Sequence, residues 1–265
     1  MLLEDKNAVI YGAGGSVGGE VARAFAREGA RVFLAGRTLE KLEGVAEVIA
    51  DEGGNPETAR VDALDEEAVD SYADAVVAKA GSIDVSFNAT THGDVHGVPL
   101  VDMEAEDFLR PFTAAMRAQF LTGRAAARHM MRQRSGVIMT ITATTGRLVI
   151  PEVGSTGVTF DAIESLCRQW ACELGPSGVR VVWLQTTGIP EALSPAVERF
   201  PAYGTGSPDG MSRHELIAWL QGKTMLNRLT SLADVASVAA FMASDRAIAM
   251  TATSANLTCG SVPTR

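Results

Sequence analysis

Short apolar runs alternate along the chain with longer amphipathic stretches. The runs read NAVIYG, ARVFLAG, ETARVDA, IDVSFNA, GVIMTIT, VRVVWLQ and TSANLTC. Most are continuously apolar rather than alternating, which is what a strand buried on both faces requires. Between them lie stretches such as EVARAFAREG and AAARHMMRQ, with apolar positions at helical spacing. Strand and helix in turn predict repeated βαβ units. The expected fold is therefore α/β: a single-domain, Rossmann-type doubly wound parallel sheet of about seven strands with helices on both faces. No internal repeat or interdomain linker divides residues 1–265. One stretch breaks the rhythm, GIPEALSPAVERFPAYGTGSPDG within 188–212. It is too long for an ordinary connection and is expected to serve as a lid or substrate loop.

Charge narrows the partners. With 23 basic and 32 acidic residues the chain carries a formal net charge of -9, so no basic field gathers nucleic acid or anionic lipid. No apolar stretch approaches the roughly 20 residues of a membrane span, and MLLEDKNAVIYGAGG lacks the zones of a signal peptide. A cytoplasmic location is expected. Cys167, Cys172 and Cys259 show no paired metal spacing and read as reduced packing residues.

The first strand ends in YGAGGSVGG, which places Gly12, Gly15 and Gly18 at Gly-x-x-Gly-x-x-Gly spacing before a helix that starts at Ser16 and Val17. Glycines let the backbone approach a pyrophosphate, and the helix N-terminus presents unpaired N–H groups to it. An acidic residue at the end of the second strand would select NAD through the ribose hydroxyls. Gly36 and Arg37 stand there instead. They leave room for a 2′-phosphate and a guanidinium to pair with it, which favours NADP(H) over NAD(H).

With these features the chain resembles the short-chain dehydrogenase/reductase family over nearly its whole length. Asp62 and Ala63 in ARVDA match the family's adenine-contacting turn, and Asn88 in IDVSFNA matches the first asparagine of its Asn-Asn-Ala-Gly turn. AAARHMMRQRSGVIMTIT, LNRLTSLADVASVAAFMASD and TATSANLTCG resemble its interface helix, C-terminal helix and last strand. The catalytic positions depart from the pattern. The family's Asn falls on Ala115, its Ser on Ala143 between Thr142 and Thr144, and its Tyr and Lys on Thr156 and Phe160. The family's Pro-Gly reads Thr186-Thr187, and the following Thr reads Glu191. In the family the tyrosine is the acid, and the lysine lowers its pKa and holds the ribose. A threonine hydroxyl does not ionise in that range, and phenylalanine offers neither charge nor hydrogen bond.

Replacement chemistry has few sources. Tyr11 starts the phosphate turn, Tyr72 and Lys79 share a helix expected outside the binding crevice, and Tyr203 and Lys223 flank the lid. His92 and His96, after the fourth strand, can exchange protons near neutral pH. Gln119, one helical turn past Ala115, is expected to face the same crevice. The glycines around His92, Asp94 and His96 fix no ligand geometry, so no metal is expected. Two readings follow: a divergent NADP(H)-dependent oxidoreductase, or a redox-silent relative that binds a ligand or reuses the pocket as a lyase or isomerase. Leu193, Val197, Phe200, Tyr203 and Met211 in the lid favour an apolar small-molecule substrate. The resemblance implies a homo-oligomer, a tetramer or dimer, through the helices around 104–134 and 156–174. There Phe120, Ala125, Ala126, Met130, Ile163, Leu166 and Trp170 exceed what one inward face needs.

Overall fold

All seven apolar runs form strands, and all seven strands lie in one sheet. In chain order they are β1 (Asn7–Tyr11), β2 (Arg31–Gly36), β3 (Pro56–Arg60), β4 (Val85–Asn88), β5 (Gly136–Ala143) and β6 (Val179–Thr186). Two short strands outside the sheet follow, β7 (Arg199–Phe200) and β8 (Met211–Ser212), and β9 (Thr253–Leu257) completes it. The computed structural model describes residues 1–144, 148, 150–194 and 196–263. The sheet order is β3-β2-β1-β4-β5-β6-β9, with every neighbouring pair parallel.

Side chains alternate across β1, and each set has its own core. Ala8 and Ile10 pack with Val21 and Phe25 of α1 (Ser16–Arg27), Leu42 and Ile49 of α2 (Leu39–Asp51), and Val235 and Ala239 near the C-terminus. Val9 and Tyr11 face Val69 of α3 (Glu66–Ala80), Leu121 and Met130 of α4 (Ala105–Gln133), and Ile163 of α5 (Thr156–Leu174). Burying one such Leu, Ile or Phe contributes about 1.5–3 kcal/mol, and the period of two directs this to both faces at once. Because β2 and β4 flank β1 on opposite sides, the chain reverses direction there. The carboxyl ends of β1 and β4 therefore open a crevice at the switch point.

The 188–212 stretch is more ordered than its composition implies. After a 3₁₀ turn at Pro190–Ala192, β7 and β8 pair antiparallel and lead into α6 (Arg213–Gln221). A reciprocal Ser212–Glu215 capping box starts that helix. Arg213 ties the segment back by donating to the carbonyls of Leu193 at 2.9 Å and Pro190 at 2.6 Å. Leu193, Phe200, Tyr203 and Met211 pack with Leu216, Trp219 and Leu220 into a small separate core, while Val197 is exposed. These side chains bury one another, so their apolarity does not define the substrate. The cysteines are all unpaired: Cys167 is buried as expected, but Cys172 is exposed and is no packing residue. α7 (Leu232–Ala243) closes the fold over α1.

Candidate cofactor and active site

The turn from β1 into α1 is fixed by close contact between backbones. Gly12 has φ +79°, and a Cβ there would lie 2.7 Å from the Ala89 carbonyl oxygen. A Cβ on Gly18 would collide with the carbonyl oxygen of Gly12. No rotamer relieves either clash. The first intrahelical bond runs from Gly19 N to Gly15 O at 2.8 Å, and no side chain caps the end. The amides of Ser16, Val17 and Gly18 thus stand free at the positive end of the helix dipole.

A cleft of about 310 Å³ opens beside this turn. Gly12, Gly15, Arg37, Asp62 and Ala63 line it as the sequence suggests, and Lys41 of α2 joins them. The sequence reading missed Lys41, although it follows Arg37 by four residues. Asn88 is not in the lining. Its side chain is buried, with Nδ2 donating to Thr122 Oγ1 at 2.8 Å and Oδ1 accepting from the Thr90 amide at 3.0 Å. It positions the loop whose residues Ala89, Thr90 and Thr91 do line the cleft.

His96 stands between two hydroxyls. Its Nε2 is 2.9 Å from Thr156 Oγ1 and its Nδ1 is 3.0 Å from the Tyr203 hydroxyl. These residues come from the β4–α4 loop, the start of α5 and the 188–212 stretch. Gly97 N also donates to Glu152 O at 2.8 Å, joining the β4–α4 loop to the turn that leads into α5. Tyr203 is held from behind by stacking on Trp219, with centroids 6.1 Å apart and planes 14° apart. Burial pushes His96 below the ordinary imidazole value, opposed by Asp94, and pushes Tyr203 up to about 12, with Glu152 adding to the rise. A neutral imidazole donates at one nitrogen and accepts at the other. A continuous chain of hydrogen bonds therefore joins Tyr203, His96 and Thr156.

His92 packs edge-on against Phe160, with centroids 6.0 Å apart. Burial lowers its pKa, and Asp94 opposes the shift. Lys223 does not reach the site, since its Nζ lies 4.4 Å over the Trp219 ring. Tyr72 packs on Tyr11 and Lys79 pairs with Glu57, both away from these groups.

Gln119 is elsewhere. It is only 9% exposed, and its Nε2 donates to Thr140 Oγ1 at 2.8 Å in a polar layer between α4 and the sheet. The helical turn relating it to buried Ala115 gave the face correctly, but that face lies under the sheet rather than over the crevice. Thr142 also points inward: its hydroxyl and the Gln185 amide converge on Glu164 Oε1 at 3.1 and 2.8 Å. Among the described residues no group of three or more His, Cys, Asp or Glu could hold a metal. No helix among them is long and apolar enough to cross a membrane.

A parallel sheet in this order, with an open helix N-terminus at its switch point, is the Rossmann-type α/β fold on which many dinucleotide-binding proteins are built. A family profile described as enoyl-(acyl carrier protein) reductase matches residues 12–261, and the chain belongs to the short-chain dehydrogenase/reductase family of oxidoreductases. It is 29% identical over 251 residues to a probable galactose dehydrogenase of Rhizobium meliloti (strain 1021), covering 94% of this chain and 92% of that one. To the 7alpha-hydroxysteroid dehydrogenase of Escherichia coli (strain K12) it is 26% identical over 239 residues, 84% and 92% of the two chains. Among solved structures, NAD+-bound xylitol dehydrogenase superposes with a TM-score of 0.86 at 23% identity, covering 98% of this chain and all of the other. A short-chain type dehydrogenase/reductase from Mycobacterium ulcerans gives 0.85 at 26% identity, covering 98% and 91%.

Proposed function

We propose that the chain is an NADP(H)-dependent oxidoreductase for a small alcohol or its carbonyl, in which His96 carries the proton. The observation that supports this is the contact of His96 Nε2 with Thr156 Oγ1 at 2.9 Å, at the position where the family places its acid. The residues present fit a dinucleotide. Any Cβ would fill the cradle at Gly12 and Gly18, and the uncapped amides of α1 suit its phosphates. A bound nicotinamide supplies the hydride exchange with the substrate carbon.

The chain's own residues move the proton. In alcohol oxidation the substrate hydroxyl proton passes to Thr156 Oγ1 while the Thr156 proton passes to His96 Nε2. Thr156 ends unchanged, and the imidazole takes the positive charge. Nδ1–H donates to the Tyr203 oxygen 3.0 Å away, which holds the ring's tautomer and orientation. Reduction runs the same steps backwards. The test is turnover of NADP+ with a panel of sugars, polyols and hydroxysteroids, compared between the parent protein and His96 variants. Bound cofactor without turnover of any alcohol or carbonyl would return the redox-silent reading.

Cofactor choice follows from Arg37 and Lys41 at the cleft. A charge-assisted pair with a 2′-phosphate contributes about 1.5–3 kcal/mol, some tenfold or more in affinity. NADPH is expected to bind more tightly than NADH, and Arg37→Ala to remove most of the difference; equal affinities in the parent protein would refute this. The chain is also proposed to form a homo-oligomer. Ala125, Ala126, Met130 and Ile163 are buried within the chain, but Phe120 is 44% exposed and stacks on Trp170, and Leu109 and Met131, about three helical turns to either side of it, are exposed too. Light scattering is expected to give a multiple of 27.9 kDa, and a monomer at micromolar concentration would overturn the assembly.

A further inference from the structure

The cleft described above extends to both sides of the glycine turn. On one side of the glycine turn it runs to Arg37 and Asp62, and on the other to Ala89, Thr90 and Thr91 at the end of β4. A dinucleotide has two riboses, one on each side of its pyrophosphate. His92 follows Thr91 in the chain, next to this lining and not in it. Its ring is fixed against the edge of Phe160, and its Nδ1 is buried with no hydrogen-bond partner among the described residues. A buried polar atom without a partner is costly and marks a place where a ligand or water completes the site. Phe160, at the family's lysine position, has no group that could bind a sugar.

We propose that His92 Nδ1 hydrogen-bonds a hydroxyl of the nicotinamide-side ribose, so that the β4–α4 loop supplies the contact that α5 lacks. This rests on the dinucleotide-binding reading above. A ribose hydroxyl both donates and accepts, so either tautomer of a neutral imidazole satisfies it. Burial favours that neutral form. Two histidines of one loop then divide the work of the missing pair, His92 holding sugar and His96 carrying the proton. His92 acts on binding and His96 on turnover.

The test compares whole cofactors with their adenine halves. Dissociation constants are measured for NADPH against 2′,5′-ADP, and for NADH against ADP, in the parent protein, His92→Phe and His92→Asn. His92→Phe is expected to weaken the preferred dinucleotide about tenfold and leave its adenine half unchanged, the size of one lost hydrogen bond. His92→Asn, whose amide places a polar atom near the Nδ1 position, is expected to stay within about threefold of the parent. Unchanged dinucleotide affinity in His92→Phe would overturn the proposal. So would equal losses for dinucleotide and adenine half, or equal losses in the Phe and Asn variants, since these mark a structural role. A parent protein that binds none of the four ligands would remove the dinucleotide reading itself, and this proposal with it.

Discussion

Replacing His96 with glutamine is expected to lower kcat/KM by about 10²- to 10⁴-fold, the contribution of a positioned proton-transfer group. Glutamine can still hydrogen-bond Thr156 Oγ1 but cannot take a proton. Cofactor affinity should therefore persist while turnover falls. Thr156→Val is expected to cost about as much, because the proposed relay passes the proton through that hydroxyl, and Thr156→Ser to keep most of the rate. Tyr203→Phe removes only the partner of Nδ1, about 0.5–1.5 kcal/mol or up to tenfold. The pH profile carries a sign. The folded pKa of His96 is depressed by burial, so the neutral base is present through the neutral range. The oxidation rate should stay level there and fall as pH drops through that depressed value, below the ordinary imidazole value of about 6.5. Reduction should show the opposite limb, weakening as pH rises through it. A glutamine variant within tenfold of the parent would sink the assignment.

The second large effect is expected at Gly18. In Gly18→Ala the new Cβ would collide with the carbonyl oxygen of Gly12, a backbone atom that no side-chain rotation can move. The turn must open, carrying the amides of Ser16 and Val17 away from the phosphates. Loss of two charge-assisted bonds at about 1.5–3 kcal/mol each predicts at least a hundredfold weaker dinucleotide binding. Strain of about 1–3 kcal/mol should lower Tm by about 2–4 °C per kcal/mol. Gly44→Ala is the control. Nothing lies within 4 Å of its Cβ position inside α2, so alanine there should stabilise by about 0.5–1 kcal/mol. An alanine at 18 that leaves calorimetric Tm and cofactor affinity at parent values would refute the account of the turn.

The contrast between these two sites shows what a sequence can disclose. The glycine turn and the strands are local: β-branched runs and glycine spacing act within a few residues, so each of the seven apolar runs matches a strand. The proton chain is not local. His96 and Tyr203 are 107 residues apart and His96 and Thr156 are 60 apart. No spacing rule links them, although each residue type could be marked as able to carry or hold a proton. The β7–β8 pair is two residues per strand, too short to leave a periodic signal. Gln119 misled because helical phase gives direction around an axis but not which side of the sheet that axis crosses. Lys41 was hidden for the opposite reason, since a lysine in a charged helix is usually solvated.

The placement of Tyr203 bears on how such a scaffold can be re-engineered. Where the acid stands on a helix, the segment over the substrate can be exchanged between relatives to change selectivity while the chemistry stays behind. Here Tyr203 lies in the 188–212 stretch and bonds His96 directly, with Trp219 of the next helix supporting its ring. A graft that imports a foreign segment there would remove the partner of Nδ1. On the proposed mechanism, a productive chimaera must bring a phenol, or another partner for that nitrogen, with it.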